Sequence, residues 1–181
     1  RRKRQWAILR IRNTIIMAIH EFFQGEGFIQ TDAPIFTGNA VEGTSTLFET
    51  DFYGEPAYLS QSGQLYGEAL AMAFGKIYTF GPTFRAENSN TRRHLCEFTG
   101  LDLEMAINEH YDEVLDVLGD LFVYIFDGLK DRCGRELERI REQHGFDDLL
   151  YLKKTLKIDF ATGCRLLRES GVDQGDYDDL S

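Results

Sequence analysis

Between two strand-like runs the chain reads Phe84-Arg85-Ala86-Glu87-Asn88-Ser89-Asn90-Thr91-Arg92-Arg93-His94-Leu95-Cys96-Glu97-Phe98. Three arginines, a histidine, two glutamates and two phenylalanines fall within these fifteen positions. Gly81-Pro82 precedes them and an alternating run over 99–104 follows, so the stretch reads as a strand–loop–strand hairpin. Arginine forks match phosphate oxygens, a flat ring stacks on a base, and a carboxylate reads polar edges. Together these are the parts that hold a nucleoside triphosphate. Strand alternation puts Thr83, Arg85 and Glu87 on one face and Phe84 and Ala86 on the other. On the return strand Phe98, Gly100, Asp102 and Glu104 share one face, and Leu101, Leu103 and Met105 share the core side. Two carboxylates two positions apart are not buried without a partner. A metal, a cation or a ligand ammonium is therefore expected beside Asp102 and Glu104. The plain alternatives are a surface ion pair for Arg85 and Glu87, a core ring for Phe98 and a solvated His94.

The surrounding elements must hold this hairpin. Residues 6–23 carry apolar side chains at 8, 11, 15, 19, 22 and 23, close to a helical period, and end near Gly25 and Gly27. A short strand over 28–31 closes at Pro34. Residues 38–46 are small and polar with Glu42 their only charge, and read as a mobile loop. Residues 47–53 and 57–60 flank Gly54-Glu55-Pro56 as a hairpin, and 65–74 form a short helix. The strand 77–80 then enters the charged hairpin. Residues 111–144 are helical, with Gly119, Gly128 and Gly134 allowing one break or kink. A strand over 150–160, a helix over 161–170 and a weakly structured acidic tail from 173 complete the reading.

At 181 residues the chain has the length of one domain, and 43% hydrophobic content can fill a core. Three cysteines, odd in number and without CxxC spacing, argue against a disulfide framework or a zinc site and fit a reducing, cytoplasmic compartment. No apolar run approaches the roughly 20 residues of a membrane span. The basic start, Arg1-Arg2-Lys3-Arg4, leads into an amphipathic helix and not into an apolar signal core. A net charge of −10 is not the footprint of a domain that grips nucleic acid over a wide surface, although a local cluster at Arg85, Arg92 and Arg93 can coexist with it.

F-R-A-E followed by R-H-L-x-E-F resembles motif 2 of class II aminoacyl-tRNA synthetases, in the form used by the aspartate and asparagine enzymes. Val41-Glu42-Gly43-Thr44-Ser45-Thr46-Leu47-Phe48, Tyr58-Leu59-Ser60-Gln61-Ser62-Gly63-Gln64-Leu65-Tyr66 and Gly100-Leu101-Asp102-Leu103-Glu104-Met105 are similar to the same family. The resemblance is tightest over 42–105 and covers nearly the whole chain. It implies an α+β fold, a class II synthetase-like antiparallel β-sheet flanked by helices. It makes 1–181 one partial catalytic domain, with motif 1 at about 8–36 building a homodimer interface, motif 2 at about 80–106, and no anticodon-binding domain. The implied reaction uses ATP, with Mg2+, to activate the amino acid as an aminoacyl-adenylate, then transfers it to tRNA. By resemblance Arg85 holds the α-phosphate and Glu87 contacts the adenosine end. Arg93 and His94 meet the phosphates or the tRNA acceptor end, and Phe98 stacks on adenine. Glu42 and Gln64 lie near the substrate ammonium. The magnesium ligands are not identified.

Substrate choice rests on Gly67. Aspartate enzymes carry a lysine there, three residues after the second glutamine of Q-S-P-Q-L-Y-K, facing the side-chain carboxylate. A buried carboxylate without its cation is costly, whereas an amide needs none. Ser62-Gly63-Gln64 and Tyr78-Thr79-Phe80-Gly81-Pro82-Thr83 also look like the bacterial-type asparagine enzyme. Residues 98–105 and the tail Gly175-Asp176-Tyr177-Asp178-Asp179-Leu180-Ser181 resemble eukaryotic-type aspartate enzymes instead. Asparagine is favoured, with an aspartate–tRNA ligase as the alternative. No G-x-G-x-x-R pattern of a third class motif occurs before Ser181. The chain is therefore expected to be truncated within the catalytic domain and weak or inactive alone. A non-catalytic paralogue, or a relative that activates a free amino acid without tRNA, is the competing reading.

Overall fold

A computed structural model describes residues 3–41, 43, 46–88, 91 and 94–179. The chain opens with α1 (Lys3–Gly25), followed by β1 (Ile29–Gln30) and β2 (Phe36–Thr37). A hairpin of β3 (Glu49–Phe52) and β4 (Glu55–Leu59) precedes α2 (Gln64–Phe74). The long strands β5 (Lys76–Phe84) and β6 (Glu97–Met105) come next, and then α3 (Asp112–Arg132), α4 (Gly134–His144) and α5 (Phe160–Glu169). The strands form two three-stranded sheets, ordered β1-β5-β6 and β2-β4-β3. All pairings are antiparallel except β1 with β5, which run parallel. This α+β arrangement is the expected one, with that parallel edge added.

The β5–β6 ladder sets everything around it. Nine pairs run from Lys76↔Met105 to Phe84↔Glu97. Side chains alternate along a strand, so this one register sorts them into two faces. Tyr78, Phe80, Leu101, Leu103 and Met105 turn toward α1 and α3. There they meet Ala18, Ile19, Phe22 and Phe23 of α1 and Leu121 and Ile125 of α3. Phe23 is fully buried and stacks on Tyr78 with ring centroids 4.7 Å apart, while Phe28 meets Phe23 edge-on at 5.0 Å. The buried Tyr78 hydroxyl pairs with His20 Nδ1 at 2.8 Å and accepts from Gln24 Nε2 at 3.4 Å, so its polar end is satisfied inside the core. The β3–β4 turn uses Tyr53 at φ 56° and Gly54 at φ 90°, the positive pair that a two-residue hairpin demands.

The helical run over 111–144 is broken once, at Cys133, where φ −121° and ψ 19° depart from helix and Gly134 restarts it. The expected strand over 150–160 is not one. Among the described residues no strand lies beside it. Its inward side chains are polar and tie it to α3 instead. Tyr151 and Lys153 meet Asp127, and Lys157 meets Asp116 at 2.7 Å. Asp159 then caps α5, accepting from the Thr162 N–H at 2.7 Å. The acidic tail forms no helix or strand over its described residues, yet it folds back on itself. Gln174 is buried and donates to the Asp178 carbonyl at 2.9 Å, and Arg168 pairs with Asp176 at 2.7 Å.

Phe23 has no exposed surface and touches three other rings, so its removal leaves a cavity that the β-sheet cannot close. A Phe23→Ala chain is expected to lose about 3–5 kcal/mol of stability by urea titration. A loss below about 1 kcal/mol would take Phe23 out of the centre of the core.

Candidate functional site

The other face of the ladder carries Ile77, Thr79, Gly81 and Thr83 from β5, opposite Glu104, Asp102, Gly100 and Phe98 from β6. Arg85 follows β5 directly, and its N–H donates to the Cys96 carbonyl at 3.0 Å, so the pairing continues one step past the strand. The half-buried Arg85 guanidinium sits over the Phe98 ring, 5.5 Å from its centre. This is a cation–π contact. Glu87 and His94 approach across the loop to 3.8 Å. His94 is steadied by Thr91, whose hydroxyl pairs with Nδ1 and accepts from the His94 N–H at 3.2 Å. The structure therefore brings Arg85 to Phe98 and Glu87 to His94. Glu42 and Arg93, with Arg92, lie outside the described residues.

The start of α2 closes the site from above. Ser62 donates to Asp102 Oδ1 at 3.0 Å, and the Gly63 N–H donates to Asp102 Oδ2 at 3.2 Å. The same Ser62 Oγ accepts from the Gln64 N–H at 3.1 Å, which caps the first turn. Within the chain a hydroxyl and a backbone amide bind Asp102, partners that the sequence reading did not name. Sequence patterns missed the pairing because about 40 residues separate the partners. Gly63 packs so close to Thr79 that an added Cβ would lie 2.5 Å from the Thr79 hydroxyl oxygen. Gln64 is exposed, and its Nε2 donates to Glu68 at 2.8 Å.

Gly67 is buried where α2 crosses β5 and β6. An added Cβ there would stand 2.9 Å from Glu104 Cγ and 3.1 Å from Ile77 Cδ1. Glu104 is held above the usual carboxyl range, first by burial and then by the negative charges of Glu68 and Asp102. The environment of Gly67 is thus acidic. The described residues contain no cluster of three or more His, Cys, Asp or Glu placed to hold a metal ion. Beside Asp102 opens a cleft of about 210 Å3 lined by Thr31, Pro34, Ser60, Gly63, Thr79 and Thr83.

One further residue was not legible in the sequence. Gln61, between β4 and α2, is 1% exposed and bonds Val41, Gly43 and Thr46. The only local signal is a glutamine flanked by serines at a strand end, with nothing nearby to name its partners.

Comparison with known proteins was then informative. The profile of the tRNA synthetases class II (D, K and N) matches residues 1–176. Aspartate–tRNA ligase 1, cytoplasmic, of Arabidopsis thaliana is 42% identical over 176 residues, covering 97% of this chain and 33% of that protein. Asparagine–tRNA ligase of Sorangium cellulosum is 54% identical over 145 residues, covering 80% of this chain and 32% of that protein. The chain therefore spans about a third of the length of these relatives. Among solved structures, asparaginyl-tRNA synthetase from Pyrococcus horikoshii complexed with asparaginyl-adenylate superposes with a TM-score of 0.89 at 34% identity, over 100% of this chain and 41% of that one. Aspartyl tRNA synthetase from Entamoeba histolytica gives 0.80 at 40% identity, over 97% and 32%. With the profile match running through residue 176, the chain belongs to the class II tRNA synthetases of the D, K and N group.

Proposed function

We propose that this chain forms part of the catalytic domain of an ATP-dependent, AMP-forming asparagine–tRNA ligase. The observation that carries the reading is the Arg85–Phe98 cation–π contact on the same sheet face as the acidic surroundings of Gly67. In this reading α1, β1 and Pro34 make up motif 1, and β5 and β6 make up motif 2. The amino-acid carboxylate attacks the α-phosphorus of ATP and pyrophosphate leaves. Arg85 offsets the charge that builds on the phosphoryl oxygens, Phe98 supplies the flat face for adenine, and Glu87 accepts from the adenosine end. His94 and Arg93 serve the phosphates or the tRNA acceptor end. Glu42 and Gln64 serve the substrate ammonium. Mg2+, which ATP chemistry of this kind uses, finds no three-ligand group among the described residues, and no step is assigned to it.

Asparagine is the favoured substrate on electrostatic grounds. At Gly67 there is no side-chain cation, and Glu68, Asp102 and Glu104 surround it with negative charge. A substrate carboxylate brought there adds a further like charge at close range, whereas a carboxamide brings two N–H donors. The 54% identity to the Sorangium asparagine enzyme supports the same side. Aspartate is kept as the second reading because the Arabidopsis aspartate relative matches 97% of the chain, against 80% for the asparagine relative. A cytoplasmic location fits three free cysteines and the cytoplasmic Arabidopsis relative. No helix among the described residues is long and apolar enough to cross a membrane. A homodimer is supported by α1, which presents Trp6, Leu9 and Met17 at 52%, 64% and 46% exposure along one stripe.

Calorimetric titration with non-hydrolysable adenylate analogues tests the reading. The asparaginyl analogue is expected to bind about tenfold or more tighter than the aspartyl one, and Arg85→Ala to weaken it by about tenfold or more. Preference for the aspartyl analogue would reverse the substrate assignment, and no binding of either would refute the proposal.

The acidic pocket makes a second prediction. A carboxyl raised in the folded state contributes stability below its unfolded pKa and loses it as pH rises through the folded one. Glu104→Gln is therefore expected to raise the urea midpoint at neutral pH, with the gain shrinking as pH falls from the raised folded value toward the ordinary carboxyl value and absent below it. A gain that persists undiminished in acid would show that charge is not its cause. For the dimer, Leu9→Arg is expected to convert the sedimenting species from dimer to monomer, and an unchanged sedimentation coefficient would remove this stripe from the interface.

A further inference from the structure

Three consecutive residues between β4 and α2 each hold a different part of the site. The Ser60 carbonyl accepts from the Phe84 N–H at 2.9 Å, at the end of β5. Ser62 donates to Asp102 on β6 at 3.0 Å. Gln61, between them, reaches the segment 41–46. Its Oε1 accepts from the Val41 N–H at 3.0 Å, and its Nε2 donates to the Gly43 carbonyl at 3.0 Å and to Thr46 Oγ1 at 2.7 Å. The Thr46 carbonyl in turn accepts from the Ala86 N–H at 2.8 Å, the residue between Arg85 and Glu87. One buried carboxamide thus connects the segment that brackets position 42 to the hairpin that carries Arg85. Only an amide side chain offers an acceptor and two donors from one planar group. A carboxylate would lose both donors, and an apolar side chain would leave buried backbone groups without this partner.

We propose that Gln61 is a positioning residue, a latch that holds Val41, Gly43 and Thr46 against the hairpin so that the amino-acid side and the nucleotide side of the site are held in one register. This rests on the reading that the 38–46 loop closes on the amino acid. The carboxamide touches neither substrate. It acts through Val41, Gly43 and Thr46, and its loss falls on the amino acid more than on ATP, because Arg85 and Phe98 are also held by the β5–β6 ladder.

The test combines amide hydrogen exchange with binding on the full chain. In Gln61→Met the Val41 and Ala86 amides are expected to lose protection while amides of β5 and β6 keep theirs. Affinity for the asparaginyl-adenylate analogue is expected to fall by about tenfold or more, and affinity for a non-hydrolysable ATP analogue by less than about twofold. Gln61→Glu keeps the acceptor for Val41 and lacks both donors. It is expected to lie between the two, and it serves if Gln61→Met fails to fold. Unchanged protection at Val41 and Ala86 would overturn the latch. Lost protection with unchanged analogue affinity would overturn its positioning role, as would equal losses for both ligands. A parent chain that binds neither ligand would sink the functional reading and this proposal together. That case is distinct from failure of the proposal alone, in which parent and Gln61→Met both bind and do so equally.

Discussion

The register of β5 on β6 is the constraint on which the rest depends. Because successive side chains alternate, pairing Tyr78 with Leu103 and Thr79 with Asp102 decides two things at once. It buries Tyr78, Leu101 and Leu103 against α1 and α3, and it delivers Thr79, Asp102, Thr83 and Phe98 to the opposite face. A slip of one residue would exchange the two faces, burying Asp102 and Glu104 without partners and exposing the core side chains. Apolar burial on one side therefore specifies the chemistry on the other. The packing of Phe23 on Tyr78 serves the site although both residues lie on the far face of the sheet.

Electrostatics at the site follow from where its charges lie. Asp102 accepts from the Ser62 hydroxyl and the Gly63 amide, one on each oxygen. Glu104, two pairs further along, is crowded by Glu68 and Asp102 and partly withdrawn from water. The cation, Arg85, lies toward the other end of the ladder, over Phe98. The face is polarised along its length: positive and aromatic at the hairpin, negative at α2. A ligand with an anionic end and a neutral, donor-rich end matches that polarity, and a ligand with two anionic ends does not.

Much of this was legible in the sequence because it rests on short-range periodicity. Alternation over 98–105 assigned both faces of β6 correctly, and the apolar spacing of 6–23 gave α1. The glycines of the 111–144 run announced the single break, which falls at Cys133. What was not legible depends on partners distant in sequence. Residues 150–160 alternate as a strand would, but Tyr151 and Lys153 spend their polar groups on Asp127, some 25 residues back, and no strand lies beside them among the described residues. Asp102 carries no local hint of Ser62. Gln61 carries no local hint of Val41, Gly43 or Thr46. The family resemblance supplied the roles of the hairpin residues, which composition and spacing alone left open between a ligand site and a surface ion pair.

A side chain added at Gly67 would meet Glu104, so these two positions 37 residues apart share one space. Any side chain at 67 must first displace the Glu104 stem. If that side chain is a lysine, its ammonium would stand beside a carboxyl whose proton affinity burial and like charge raise, and the two would be drawn to pair with each other. Neither position can therefore be read as an independent site of variation. Changes at the two positions are therefore expected to be non-additive.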